Sequence, residues 1–254
     1  MTPLLETRGL SKTFGGLKAV QDVDLRVDAH RIVSVIGPNG AGKTTFFNCL
    51  SGIYRPDGGS ILLEGRDITG RAPHQVCKLG MSRTFQNIRP VPEMTVLENV
   101  LVAQFQHRSI SPLPLLLRSQ HFCDQEKESR EEALGFLDFV GLAHHAEAVS
   151  SNLAYGLQRR LEIARALATR PRILLLDEPA AGMNPQEAVE MVHLISRIRE
   201  HGLAILLIEH HMKVVMSISD EILVLDHGVQ IAHGAPEQVR NDPQVIKAYL
   251  GGEI

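Results

Sequence analysis

The sequence predicts an α/β fold built on a mostly parallel sheet, and three observations predict it. First, the apolar, β-branched run 31–36 leads into Gly37-Pro38-Asn39-Gly40-Ala41-Gly42-Lys43-Thr44, and Phe46, Phe47 and Leu50 then recur at helical spacing. Second, the runs 173–176 and 203–208 are short and wholly apolar, the signature of strands buried on both faces, and helical patterns lie around them. Third, residues 88 to 170 are helix-prone with few strand signals. A helical subdomain at 88–170 is therefore expected between two halves of a nucleotide-binding core, 1–87 and 171–254.

Taken in order, residues 4 to about 26 and 60 to about 68 read as short strands, with Pro56-Asp57-Gly58-Gly59 as a turn before the second group. The glycine-rich segment matches G-x-x-x-x-G-K-[ST] in the strand–loop–helix context that the motif requires. Gly37, Gly40 and Gly42 leave room for backbone N–H groups to wrap phosphates, and the helix N-terminus adds partial positive charge. Lys43 is expected to reach the β- and γ-phosphates and the Thr44 hydroxyl to ligate Mg²⁺, with Thr45 completing the loop that takes ATP.

Thr95-Val96-Leu97-Glu98 is a capping box that opens a helix. Ser109 to Leu117 breaks the helical pattern, and its leucines Leu113, Leu115, Leu116 and Leu117 suit either a contact with a membrane subunit or a local core. Residues 125–140 read as an amphipathic helix, and 156–168 as another that stops before Arg170-Pro171. Asp177 and Glu178 follow the 173–176 strand at once, the position from which such strands present ligand groups. Asp177 is the expected Mg²⁺ partner and Glu178 the expected general base.

Asn184-Pro185-Gln186-Glu187 supplies an N-cap, a proline at the first helical position and a glutamate at the third. Val189, Val192, Ile195 and Ile198 give the helix that follows an apolar face. The segments 221–225 and 229–232 suit a hairpin around Asp226-His227-Gly228, and Asp242-Pro243 starts a last helix.

The chain as a whole resembles the ATP-binding subunits of ABC transporters, whose motifs occur here once and in the family's order. The resemblance implies an antiparallel β-subdomain beside the nucleotide and Phe14 against adenine. It implies that Gln86, in Arg83-Thr84-Phe85-Gln86, contacts Mg²⁺ or the attacking water. Leu153, Ala154, Tyr155, Gly156 and Leu157 are similar to the signature that binds the γ-phosphate of ATP held by a partner subunit. Ala181, Gly182, Met183 and Asn184 occupy the D-loop position, and His210 that of the switch histidine. Several segments, among them Glu93-Met94-Thr95-Val96 and Leu161-Glu162-Ile163-Ala164-Arg165, resemble the branched-chain amino-acid (Liv-type) importer group in particular. Lipopolysaccharide-export ATPases are the nearest lookalike, and soluble ABC ATPases acting on ribosomes or DNA form a reading of another class.

Three positions depart from the pattern: Ala154 stands for serine, Leu157 for glutamine and His211 for aspartate. The first two lie in the segment that serves the partner's ATP, so they bear on the site across a dimer and not on the one built on Lys43 and Glu178. The importer group implies two transmembrane permease subunits, a second related ATPase and, indirectly, a periplasmic or extracellular solute-binding protein. It also implies a peripheral position on the cytoplasmic face of a bacterial plasma (inner) membrane.

Composition sets the outer bounds. With 254 residues, 44% hydrophobic and 22% charged, the chain suffices for one large domain with an inserted subdomain. A net charge of −3 excludes the basic excess usual in nucleic-acid binders, so no nucleic-acid partner is expected. Cys49, Cys77 and Cys123 have no metal-like spacing, and an odd count without a secretion signal suits reduced thiols in the cytosol. No stretch reaches the roughly 18 apolar residues of a membrane span, so any channel is expected in other chains. The adjacent pairs His144-His145 and His210-His211 are expected to point apart, as helix neighbours do, and to make no zinc site.

Overall fold

The computed structural model describes residues 2–84, 90–105 and 120–250, without the side chains of 120–123 and 250. The chain divides into two compact units: Met1–Arg83 with Arg172–Ile254, and Thr84–Pro171.

The first unit holds ten strands among the described residues, in one sheet. They are β1 (Leu5–Phe14), β2 (Leu17–Val27), β3 (Ile32–Ile36), β4 (Gly58–Leu63), β5 (Arg66–Asp67), β6 (Met81–Arg83), β7 (Ile173–Asp177), β8 (Ala204–Ile208), β9 (Glu221–Asp226) and β10 (Val229–Gly234). Their spatial order is β5-β4-β1-β2-β10-β9-β3-β8-β7-β6. The strands β9, β3, β8, β7 and β6 run parallel, while β1, β2, β4 and β5 pair antiparallel. Every residue of β3, β7 and β8 is buried, as their largely apolar runs require of strands covered on both faces. Register sets their ends level: Val35 and Asp177 both pair with Ile208.

The strands of the first 27 residues are longer than expected, ten and eleven residues. Gly58 and Gly59, read as turn residues, instead begin β4. Gly-Gly carries no side-chain pattern by which a strand end differs from a turn. The hairpin of β9 and β10 forms around Asp226-His227-Gly228 as expected.

The helices of this unit are α1 (Lys43–Leu50) and α2 (Pro73–Lys78) in its first segment. After the second unit come α6 (Pro185–Glu200), α7 (Met212–Ile218), α8 (Pro236–Arg240) and α9 (Pro243–Leu250). Phe46, Phe47, Cys49 and Leu50 sink the inner face of α1 into a core shared with β1, β2, β4 and the parallel strands. Burial pushes the Cys49 thiol up to about 11. Asn184 caps α6 by accepting from Gln186 and Glu187 N–H, each at 3.0 Å. Its buried face is Met191, Leu194, Ile195 and Ile198, whereas Val189, expected inside, is 56% exposed.

The second unit is helical among its described residues: α3 (Val96–Gln104), α4 (Gln120–Phe139) and α5 (Tyr155–Ala168) pack on one another. The capping box forms. Thr95 Oγ1 accepts from Glu98 N–H at 3.1 Å, and Glu98 accepts from Thr95 N–H at 2.8 Å. Replacing Thr95 with alanine removes that cap and is expected to lower stability by about 1 kcal/mol, measured by urea denaturation. The leucine run at 113–117 lies outside the described residues.

Candidate functional site

Three neighbouring strands of the first unit end at one edge of the sheet, and each delivers one part of the candidate site. Strand β3 runs into the phosphate loop, β7 into Asp177 and Glu178, and β8 into Glu209, His210 and His211. Carboxyl ends of adjacent parallel strands form the crevice in which such sheets bind ligands.

The loop glycines divide by role. A Cβ on Gly37 would lie 2.0 Å from the Leu225 carbonyl oxygen, and one on Gly42 would lie 2.2 Å from that of Ala19. These two glycines seat the loop against β9 and β2. A Cβ on Gly40 would meet nothing within 4 Å, so the open side of the loop is there. Asn39, Gly40 and Thr44 are exposed, Pro38 and Thr45 half-buried, and Ala41 buried. Gly42 caps α1, whose first residue is Lys43.

The Lys43 ammonium is turned back over its own loop, donating to the Gly37 and Pro38 carbonyls at 2.6 and 3.0 Å. Desolvation lowers its pKa, opposed by the negative charges of Glu178 and Asp177.

Asp177 is buried at the end of β7, and one of its oxygens accepts from Arg83 at 2.8 Å. The Arg83 guanidinium also donates to Asn48 Oδ1 at 2.7 Å and Ser51 Oγ at 3.0 Å, tying β7 to α1. Arg83 entered the sequence reading only as part of a motif. Both side chains of the pair are less than a tenth exposed. Breaking a buried pair is costly, so Arg83→Met is expected to lower stability by about 3–5 kcal/mol in chemical denaturation.

Glu178 is a non-glycine residue with a φ of 48°. That left-handed conformation is held by its N–H, which donates to Ile208 O at 2.9 Å, and by its carbonyl, which accepts from Ala181 N–H at 3.1 Å. Strained backbone of this kind persists where the surroundings over-determine it. The Glu178 carboxylate stands 3.6 Å from His210 Nδ1, with the histidine side chain half exposed. The His210 and His211 rings are close, 4.4 Å between centroids at 35°. They lie in the turn before α7 rather than in a helix, so the expectation that they point apart is corrected. With Glu209 they form a cluster whose ligand atoms lie within 4.8 Å of one another.

Phe14 ends β1, 42% exposed, and its ring meets Tyr54 edge-on at 5.2 Å and Lys12 at 5.4 Å. Tyr54 is a neighbour that the sequence did not single out. The last helix, expected from Asp242-Pro243 and formed as α9, was not assigned to the site. Gln244, Lys247 and Ala248 of α9 line, with Pro38 to Ala41, a cavity of about 630 Å³ beside the loop. Burial raises the pKa of the Tyr249 hydroxyl on the same helix, opposed by a hydrogen bond from the Gly37 backbone.

Ala181, Gly182, Met183 and Asn184 link β7 to α6, with Gly182 and Asn184 exposed. In the second unit Leu153 is buried, Ala154 is the extended N-cap of α5, and Tyr155, Gly156 and Leu157 form its first turn. The helix thus starts one residue before Gly156, because Ala154 already has cap geometry. The Tyr155 hydroxyl accepts from Arg159 at 2.9 Å, and Arg159 pairs with buried Glu162 at 3.2 Å. Gln86 lies outside the described residues.

The donor set at the loop, the Thr44 hydroxyl and the Asp177 carboxylate, consists of hard oxygens and fits Mg²⁺. Among the described residues, no helix is long and apolar enough to cross a membrane.

A family model described as ABC transporter matches residues 20–181, and one described as branched-chain amino acid ATP-binding cassette transporter matches 229–254. The chain is 53% identical to the high-affinity branched-chain amino acid transport ATP-binding protein BraF of Pseudomonas aeruginosa, over 98% of both chains. It is 52% identical to LivG of Escherichia coli K12, which carries the same description, again over 98% of both. Among solved structures, the ADP conformation of MJ1267, an ATP-binding cassette of an ABC transporter, superposes with a TM-score of 0.86 at 34% identity. That match covers 99% of this chain and all of the other (100%). The chain belongs to the ABC transporter family, among its branched-chain amino-acid ATP-binding subunits.

Proposed function

We propose that this chain hydrolyses Mg-ATP to drive a branched-chain amino-acid importer. The observation that carries the reading is the convergence of Lys43, Asp177, Glu178 and His210 at level ends of neighbouring parallel strands, with His210 3.6 Å from Glu178. Nothing in the named relatives favours the lipopolysaccharide-export or soluble ribosome- or DNA-acting readings.

In this reading, phosphates wrap the open side of the loop at Gly40. Lys43 leaves the Gly37 and Pro38 carbonyls for β- and γ-phosphate oxygens. The Thr44 hydroxyl and Asp177, already paired with Arg83, would hold Mg²⁺, and the family resemblance adds Gln86 to that set. The ion, when bound, neutralises phosphate charge. Glu178 accepts a proton from the attacking water as its oxygen bonds to the γ-phosphorus. The bond to the bridging oxygen breaks, and ADP leaves with that electron pair. His210 donates a hydrogen bond to the γ-phosphate. Phe14 supports the adenine, and residues 181–184 face the partner ATPase.

The segment 153–157 serves the ATP of a second, related ATPase subunit. Closure of this heterodimer on ATP, and its opening after hydrolysis, switch two transmembrane permease subunits between access states through differential affinity for ATP. A solute-binding protein delivers the amino acid from outside, and the chain sits at the cytoplasmic face of the membrane.

Affinity isolation of the subunit from solubilised membranes tests this assembly. Two polytopic proteins and a second ATPase are expected to follow it. Recovery of ribosomal, DNA-repair or lipopolysaccharide-bridge proteins would overturn the reading, and full coupled transport without a second ATPase would overturn the heterodimer.

A further inference from the structure

Glu209 is 0% exposed at the carboxyl end of β8. A carboxylate shut away from water needs hydrogen-bond donors to compensate the lost hydration. Its donors here come from two different turns. One oxygen accepts from Ala180 N–H at 3.2 Å, in the turn that follows Glu178. The other accepts from the N–H groups of His210 and His211, at 3.0 and 3.2 Å, with the His211 ring nitrogen Nδ1 at 3.3 Å. The last backbone bond between these strands is Glu178 N–H to Ile208 O. Beyond it, the Glu209 side chain bridges the two turns.

A metal ion at the Glu209–His210–His211 cluster is the competing explanation. Three main-chain amides take three of the carboxylate's about four acceptor positions, and Glu209 has no exposed face for a hydrated ion, so the geometry favours the bridge.

We propose that Glu209 is a positioning residue for hydrolysis, holding the turn of Glu178 and the turn of His210 at their working separation. The proposal rests on the reading of Glu178 as general base. It needs a carboxylate, because acceptors are required on both sides. Glutamine offers one acceptor and sets an amide N–H₂ against the remaining donors.

The test compares the full chain, assembled with its partner ATPase, with Glu209→Gln, Glu209→Asp and the double variant Glu178→Gln/Glu209→Gln in the same assembly. The readouts are kcat and KM for ATP, ATP affinity and the thermal midpoint. Misplacement by about 1 Å can cost about 10²-fold, so Glu209→Gln is expected to lower kcat at least about tenfold. KM and ATP affinity should change far less than kcat, by no more than about threefold, since the bonded partners of Glu209 are Ala180, His210 and His211 and not the phosphate loop. Glu209→Asp keeps both oxygens and should recover part of kcat; it carries the same test if the glutamine variant does not fold. In the Glu178→Gln background, adding Glu209→Gln should change the residual rate by less than about twofold, because groups that act as a unit are not additive.

A purely structural role would lower the thermal midpoint and leave kcat of the folded protein intact. That result, or an undiminished effect in the double variant, would overturn the proposal. A parent complex, with its partner ATPase present, that binds ATP without hydrolysing it would overturn the hydrolytic reading itself, whereas a hydrolysing parent complex with an unaffected glutamine variant overturns only the role of Glu209.

Discussion

Glu178→Gln is expected to lower kcat for ATP hydrolysis by about 10²–10⁴-fold while ATP binding survives. The side chain is nearly isosteric, so the left-handed turn held by Ile208 O and Ala181 N–H stays in place. What is lost is the group proposed to take the proton of the attacking water. Lys43 and Thr44 on α1, and the loop amides between β3 and α1, keep their geometry, so nucleotide affinity should be unchanged or higher. Steady-state hydrolysis measured beside equilibrium binding of a fluorescent ATP analogue separates the two effects. A variant that hydrolyses at more than about a tenth of the parent rate would remove Glu178 from the role of general base.

Lys43→Ala is expected to act on the other side of that division, by abolishing tight ATP binding. Its ammonium already makes two hydrogen bonds, to the Gly37 and Pro38 carbonyls, at lengths that show how close it lies to the loop. Exchanging these for phosphate oxygens yields two charge-assisted bonds of about 1.5–3 kcal/mol each. Their loss corresponds to roughly 10²–10⁴-fold in affinity. The helix and loop should still form, because Gly37 and Gly42 set the backbone approach to β9 and β2. Calorimetric titration with ATP and Mg²⁺ checks this; affinity within about threefold of the parent would show that Lys43 does not reach the phosphates.

How far the sequence could be read depended on the kind of signal each residue carries. Strands β3, β7 and β8 were legible because burial on both faces leaves a run in which nearly every residue is apolar. The caps at Thr95 and Asn184 were legible because a short polar side chain at a fixed offset from a glutamate has one geometric use. The phosphate loop was legible as a motif. Its internal division, with Gly37 and Gly42 packed on neighbouring backbones and Gly40 open, depends on strands distant in sequence. Glu209 escaped notice because an acid after an apolar strand looks like any solvated acid until two turns close over it. Arg83 likewise shows its role only when β6 lies beside β7 and under α1. Val189 was misassigned because helical periodicity marks a face but not which of its positions gain cover from the rest of the fold.

The claim that ties these parts together is that hydrolysis at Glu178 drives solute movement through other chains. It is tested most directly by uptake of radiolabelled leucine into vesicles holding the assembled complex, its solute-binding protein and internal ATP, with ATP consumption followed in parallel. The account predicts uptake that starts with ATP, stops with ADP, and is lost with hydrolysis in the Glu178→Gln complex. Hydrolysis that proceeds with no ATP-dependent leucine uptake, or sustained uptake by the Glu178→Gln complex, would contradict it.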